Sequence, residues 1–175
     1  MKYKDAVTQS MEMLARDPKV VFLGYNITRG TRAYGTLSNV PKSRCIETPV
    51  AENLMADLAI GLSLEGYKPV LFFERHDFVL IALDSLVNHL DKMEKISKEE
   101  FKSSVLVRAV VGGTIPFYPG MQHTQDFTEI FKRIFHFPVL TPKTAGEVME
   151  CYKRSSAFDK PYMILEKRDD YELED

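Results

Sequence analysis

The residues of this chain best placed to do chemistry are carboxylates and histidines set beside apolar runs. Glu47 and Glu52 stand in the stretch IETPVAEN, between a strand-like run and a strongly helical one. Thr48 suits the N-cap of the helix and Pro49 its first position, and Gly66 suits its end. Leu54, Met55, Leu58, Ala59 and Leu62 then recur at helical spacing, which puts Glu52 on or beside the apolar face. A carboxylate there must be rescued by the helix N-terminus or held by a partner. Two readings stay open on the pattern alone: decoration of the helix dipole at a sheet edge, or a functional acid beside a mostly apolar pocket. Further on, His123 lies in the loop sequence MQHTQ. His76, in FERHDF, is placed to line a pocket, and His89 sits on a helix and reads as packing.

The elements that must position these groups alternate along the chain. Strands are expected at 20–23, 44–47, 69–73, 105–111, 138–140 and 162–165. Helices are expected at 4–15, 50–65, 78–96, 127–135 and 145–157. Runs such as VLVRAVV and YMIL are almost continuously apolar, which suits a sheet covered on both faces. The expectation is an α/β domain with a doubly wound, mainly parallel six-stranded sheet and helices on both faces. It should occupy residues 1–168, with 169–175 as an acidic, solvated C-terminal tail. In such sheets ligands bind outside the carboxyl ends of the strands. The loops expected there read GYNITRGTRAYGTLSNV, TPVAEN, FERHDF and GGTIPFYPGMQHTQDF, and none carries a GxGxxG or GxxxxGK[ST] phosphate motif.

Composition narrows the field. A chain of 175 residues, 45% hydrophobic and 27% charged, can bury a core as one domain. A net charge of -2 gives no electrostatic reason to expect nucleic acid. No apolar run reaches the roughly 18 residues that span a bilayer. The charged N-terminal stretch lacks the apolar centre of a signal peptide, so a cytoplasmic protein is expected. Cys45 and Cys151 have neither metal nor redox spacing and read as reduced bystanders.

Four motifs occur in a recognisable order: TPVAEN, GYKPV, DSLVNHLDK and QHTQDF. With them the chain resembles the pyrimidine-binding domain of thiamine diphosphate enzymes. It is most similar to the N-terminal half of the beta subunit of 2-oxo acid dehydrogenases, a half shared with transketolases. The resemblance runs from YKDAV to PYMILEK and implies the roles that follow. Glu52 matches the glutamate that hydrogen-bonds N1′ of the cofactor's aminopyrimidine. That contact favours the imino tautomer, whose 4′-imine takes the C2 proton of the thiazolium and leaves a carbanion that attacks a carbonyl. Phe78 matches the aromatic that stacks on the pyrimidine, and Val50 an apolar residue whose backbone faces the same ring. Glu74 falls at a variable cofactor-facing position. His123 matches a histidine that contacts substrate or reaction intermediate.

Departures from the family pattern carry expectations of their own. Gly24-Tyr25-Asn26 stands where the beta subunits have an acidic residue directly after the glycine. The turn SSAFDKP puts Phe158 and Lys160 where the resembled proteins have metal-binding groups, and Lys160 takes the place of a potassium ion, so no metal is expected here. A GDG motif with a distant Asn, the diphosphate-and-magnesium clamp, is absent from the sequence. The resemblance therefore implies a small subunit, inactive alone, whose diphosphate-binding, alpha-like partner supplies Mg2+. A homodimer or an α2β2 heterotetramer is expected, with Phe117, Tyr118 and Phe127 suited to an interface. The implied reaction is decarboxylation or acyl or ketol transfer on a 2-oxo acid or ketose. Transketolase-type two-carbon transfer is the alternative, and a non-catalytic regulatory or scaffold subunit is the alternative from another class.

Overall fold

The computed structural model describes residues 1–115 and 117–174. Among them, one sheet contains β1 (Val20–Gly24), β2 (Cys45–Glu47), β3 (Lys68–Phe73), β4 (Leu106–Val111), β5 (Val139–Leu140) and β6 (Tyr162–Lys167). The strand order is β2-β1-β3-β4-β6-β5, and every pairing is parallel. The helices are α1 (Tyr3–Ala15), α2 (Glu52–Leu64), α3 (Met93–Ile96), α4 (Thr128–Ile134) and α5 (Ala145–Ser155).

The handedness of parallel crossovers decides which face each connection covers. The steps β1 to β2 and β5 to β6 run one way along the sheet, and the other steps run the opposite way. The first set, with α1 and α5, builds a core of Tyr3, Met11, Phe22, Ile27, Leu37, Phe72 and Tyr152. The second set builds the opposite core from Met55, Ala59, Phe73, Val79, Leu86 and Phe131. Between β1 and β3 the chain leaves toward opposite faces, which opens a crevice at their carboxyl ends.

Helix α2 begins at Glu52, later than the capping pattern predicts. Thr48 N–H donates to Gly24 O at 2.9 Å, so the strand pairing continues past Glu47. Ala51, at φ -152° and ψ 79°, is not yet helical, and no side chain caps the helix. The inward face is also narrower than the leucine spacing suggests. Met55, Ala56, Ala59, Ile60 and Ser63 are buried, while Leu54 and Leu58 are 55% and 38% exposed. The small alanines bring the helix close to the sheet, and the leucines are left on its outer side.

The single helix expected over 78–96 is three pieces. A 3-10 segment, His76–Ala82, is followed by a π-helical one, Asp84–Leu90, and then by α3. The run stops at Asp91 because that carboxylate turns inward. It accepts from the backbone N–H of His136 at 2.9 Å and of Phe137 at 3.2 Å, tying this segment to the approach of β5. The residues expected as a solvated tail are docked as well. Arg168–Glu172 form a 3-10 turn with Tyr171 fully buried, and Tyr3 N–H donates to Leu173 O at 3.0 Å.

Tyr171 is held by a buried ion pair. Arg108 on β4 grips Glu166 on β6 through two hydrogen bonds of 2.9 Å, Nε to Oε1 and Nη2 to Oε2, and both side chains are buried. The hydroxyls of Tyr152 and Tyr171 donate to the same carboxylate, and the guanidinium lies 4.8 Å from the Phe72 ring. Breaking such a pair from one side leaves an uncompensated charge in the core. Arg108→Met should therefore lose about 3–5 kcal/mol of stability, with much of it recovered in the double variant Arg108→Met/Glu166→Leu. Urea denaturation of the three proteins checks this, and a single variant as stable as the wild type refutes it.

Candidate active site

The crevice between β1 and β3 is a cleft of about 500 Å³. Tyr25 after β1, Val50 before α2, Glu74, Arg75 and Phe78 after β3, His123 after β4 and Arg168 after β6 line it together. Four of the residues expected from sequence, Val50, Glu74, Phe78 and His123, thus meet in one place. Phe78 and His123 touch edge to face, with ring centres 5.3 Å apart and planes at 75°.

Glu52 is buried beside this cleft, in the first turn of α2, and is 3% exposed. Its carboxylate has no hydrogen-bond partner among the described residues. It lies close enough to Tyr25 to act on it: burial first, then the charges of Glu52 and Glu74, push the Tyr25 hydroxyl well above its usual range. A nearly buried carboxylate with no protein donor keeps only slight contact with solvent, which is costly for the chain alone. It is an open acceptor for a ligand.

The loop that follows β1 is organised around the other carboxylate of IETPVAEN. Glu47 accepts from the N–H of Asn26 at 2.7 Å, of Ile27 at 3.1 Å and of Thr28 at 2.7 Å, and from the Thr28 hydroxyl at 2.8 Å. Burial alone would raise its pKa, but the bonds from Thr28, Asn26 and Ile27 outweigh it and hold the carboxyl below the ordinary range. With Asn26 held at φ 57°, its side-chain amide donates to Glu74 Oε2 at 2.9 Å. Tyr34, from the same loop, donates its hydroxyl to Glu74 O at 3.0 Å. Burial raises that hydroxyl to about 12, against the opposing pull of Arg75.

Tyr34, Arg75 and Arg168 are pocket residues that the motifs did not mark. The guanidinium carbons of Arg75 and Arg168 lie 5.7 and 5.1 Å from the Tyr34 ring, and neither arginine has an ion-pair partner among the described residues. The aromatic, Gly-rich run GTRAYG was the available signal for Tyr34. Arg168 had none, because it follows what reads as the last strand.

Other expectations change. His76 does not line the cleft; it is fully buried, and its Nε2 accepts from Phe127 N–H at 2.9 Å. His89 is not packing, since its side chain is 54% exposed and stands 3.8 Å from Asp57. The Lys160 ammonium lies 5.8 Å from the Tyr162 ring, while the carbonyls of Phe158 and Lys160 accept from Ser104 Oγ at 2.7 and 3.4 Å. Among the described residues, no group of three or more His, Cys, Asp or Glu is arranged to hold a metal, and no helix is long and apolar enough to cross a membrane. Phe117 and Tyr118 are 66% and 58% exposed, and Phe127 is half-buried.

A parallel doubly wound sheet with a cleft at its switch point defines an α/β domain of the class that takes ligands at the carboxyl ends of its strands. Residues 1–174 match the family described as "Transketolase, pyrimidine binding domain", and the chain belongs to that family. It is 29% identical over 171 residues to the pyruvate dehydrogenase E1 component subunit beta, mitochondrial, of Saccharomyces cerevisiae, covering 95% of this chain and 46% of that protein. It is 25% identical over 178 residues to the 2-oxoisovalerate dehydrogenase subunit beta of Bacillus subtilis, covering 99% and 54%. A solved structure titled "Split gene transketolase, inactive beta4 tetramer" superposes with a TM-score of 0.71 at 18% identity, covering 95% of this chain and 50% of that one. The chain thus spans about half the length of the relatives it matches.

The Glu47 cluster makes a prediction with a defined pH sense. Its folded pKa lies below the unfolded value, near 4.3, so its stabilisation is complete above that value and is lost as pH falls through the folded pKa. Glu47→Gln should lose about 1–3 kcal/mol at pH 7 through its weakened hydrogen bonds. The difference from wild type should shrink toward pH 3 in urea titrations. A difference independent of pH would rule out the charged acceptor.

Proposed function

We propose that this chain is the pyrimidine-binding subunit of a cytoplasmic two-chain thiamine diphosphate enzyme acting on a 2-oxo acid or a ketose. The observation that carries the reading is Glu52, a nearly buried carboxylate with no partner among the described residues, beside a cleft walled by Phe78, Val50 and His123. This set fits an aminopyrimidine. Such a ring needs one hydrogen-bonding acid at N1′, an aromatic face and otherwise apolar surroundings.

Bound thiamine diphosphate supplies a thiazolium whose C2 becomes the nucleophile toward a carbonyl. This chain's residues serve that chemistry in separate ways. Glu52 would hold and return a proton at N1′, and its near-burial would limit competition from water for that proton. Phe78 would stack on the pyrimidine, Val50 would turn its backbone to the same ring, and Glu74 would face the cofactor from the end of β3. His123, in edge contact with Phe78, meets the substrate carbonyl. Arg75 and Arg168, without an ion pair among the described residues, suit the carboxylate of a 2-oxo acid. The relatives named as 2-oxo acid dehydrogenase beta subunits support that substrate class over a neutral ketose. A scaffold subunit would have no use for an unpaired buried acid.

The diphosphate and its Mg2+ are assigned to a second, alpha-like chain. The exposed Leu54, Leu58, Ile81, Phe117 and Tyr118 supply apolar surface for that chain and for a second copy of this one, as a homodimer or within an α2β2 heterotetramer.

Two measurements test the reading. Calorimetric titration of the purified chain with thiamine diphosphate should detect weak binding or none, and micromolar binding without a partner would contradict the shared site. In the reconstituted enzyme, Glu52→Gln should lower turnover on the order of 10²–10⁴-fold. Thermal stability should hold or rise, because a desolvated charge is removed. Wild-type turnover would remove Glu52 from the chemistry.

A further inference from the structure

The three residues after Glu74 all reach across to one loop. Arg75 Nη1 donates to Gly112 O at 3.1 Å, where the β4–α4 loop begins. Asp77 Oδ1 accepts from the backbone N–H and the side-chain amide of Gln125, both at 3.3 Å. His76 Nε2 accepts from Phe127 N–H at 2.9 Å, where the loop ends. The two loop ends also meet: a Cβ on Gly112 would stand 3.2 Å from the Cα of Thr124, the neighbour of His123. Phe78, next along the same turn, touches the His123 ring.

We propose that Arg75, His76 and Asp77 form a clamp that positions His123 against Phe78, with His76 as the member that protonation releases. This rests on the reading of His123 as a substrate-contacting residue. His76 is a positioning residue, acting through the backbone of 125–127 and touching neither cofactor nor substrate.

The imidazole is fully buried, against the rings of Phe127 and Phe131 at 5.6 and 6.0 Å. Because Nε2 is the acceptor, the neutral ring carries its proton on Nδ1, 3.4 Å from Asp77 Oδ2. A second proton can go only to Nε2, where it would face the Phe127 N–H donor to donor. The charged groups that bear on this ring are Asp77 and Arg75 on its own turn and Asp126 on the loop. Burial, with help from Arg75, outweighs the two aspartates and holds the pKa below its ordinary value, so the clamp is closed at neutral pH. With the folded pKa below the unfolded 6.5, the clamp contributes fully above about pH 6.5 and weakens as pH falls toward the folded pKa.

The test uses the full chain without cofactor, so its outcome is independent of turnover in Glu52→Gln. Hydrogen exchange of the amides of 125–127, corrected for intrinsic rates, is followed by mass spectrometry from pH 7.5 to 4.5. The ring signals of His123 are read in parallel on histidine-labelled protein. Wild type should show protection at pH 7.5 that drops about ten-fold or more on acidification, together with loss of the ring-current shift from Phe78. His76→Gln keeps an acceptor that does not titrate and should stay protected throughout. His76→Leu should be unprotected throughout while its thermal transition persists. Protection in wild type that ignores pH overturns the proposal, and so does a His76→Gln variant that retains the acid loss. A His76→Leu variant as protected as wild type also overturns it, and where that variant does not fold, the wild-type pH series decides alone.

Discussion

A guanidinium and a carboxylate sealed inside the sheet hold one wall of the site in place. Arg108 and Glu166 join β4 to β6 where no water can share their charge, and the spare lone pairs of the carboxylate are taken by two tyrosine hydroxyls. One of those tyrosines, Tyr171, belongs to the turn that follows β6. Through it the chain is folded back over the sheet, and the Arg168 guanidinium is caught between the rings of Tyr171 and Tyr34, at 5.0 and 5.1 Å. Tyr34 in turn binds the backbone of Glu74. A single buried pair is therefore linked, ring by ring, to the end of β3 that opens on the cleft.

The crevice follows from topology before it follows from any side chain. Connections that depart in opposite directions from β1 and β3 cannot both cover the space above their carboxyl ends. Into that space come two kinds of group. Carboxylates already supplied with donors, such as Glu47, are structural and shape a loop. Glu52 has no donor among the described residues, and in the proposed function it is the acid of the site. The two lie five residues apart in sequence, and it is hydrogen-bond supply that separates their roles.

Much of this was legible in the residues. The strand runs 20–23, 69–73 and 162–165 fall inside β1, β3 and β6, because strands buried on both faces are apolar throughout. Val50, Glu74, Phe78 and His123 were assigned by motif and meet in the cleft. The failures have tertiary causes. Thr48 and Pro49 carry the local signals of a helix start, yet Thr48 is committed to Gly24 across the sheet. The segment after Phe78 has helical spacing, but Asp91 is drawn to the backbone of His136 and Phe137 and ends the run. Tyr171, in an acidic stretch that looks solvated, is buried against the Glu166 carboxylate of β6, which Arg108 on β4 holds in place. No local pattern announces such a partner.

The outer face of α2 bears on the life of the chain in the cell. Leu54 and Leu58 stand two and six residues beyond Glu52 on the same helix, turned toward solvent. The helix that seats Glu52 thus also displays a greasy flank. A copy made in excess of its partners would be a natural client for chaperones and proteases. For the two-chain enzyme proposed above, balanced synthesis of the chains, more than the intrinsic stability of this one, would then set how much of it accumulates.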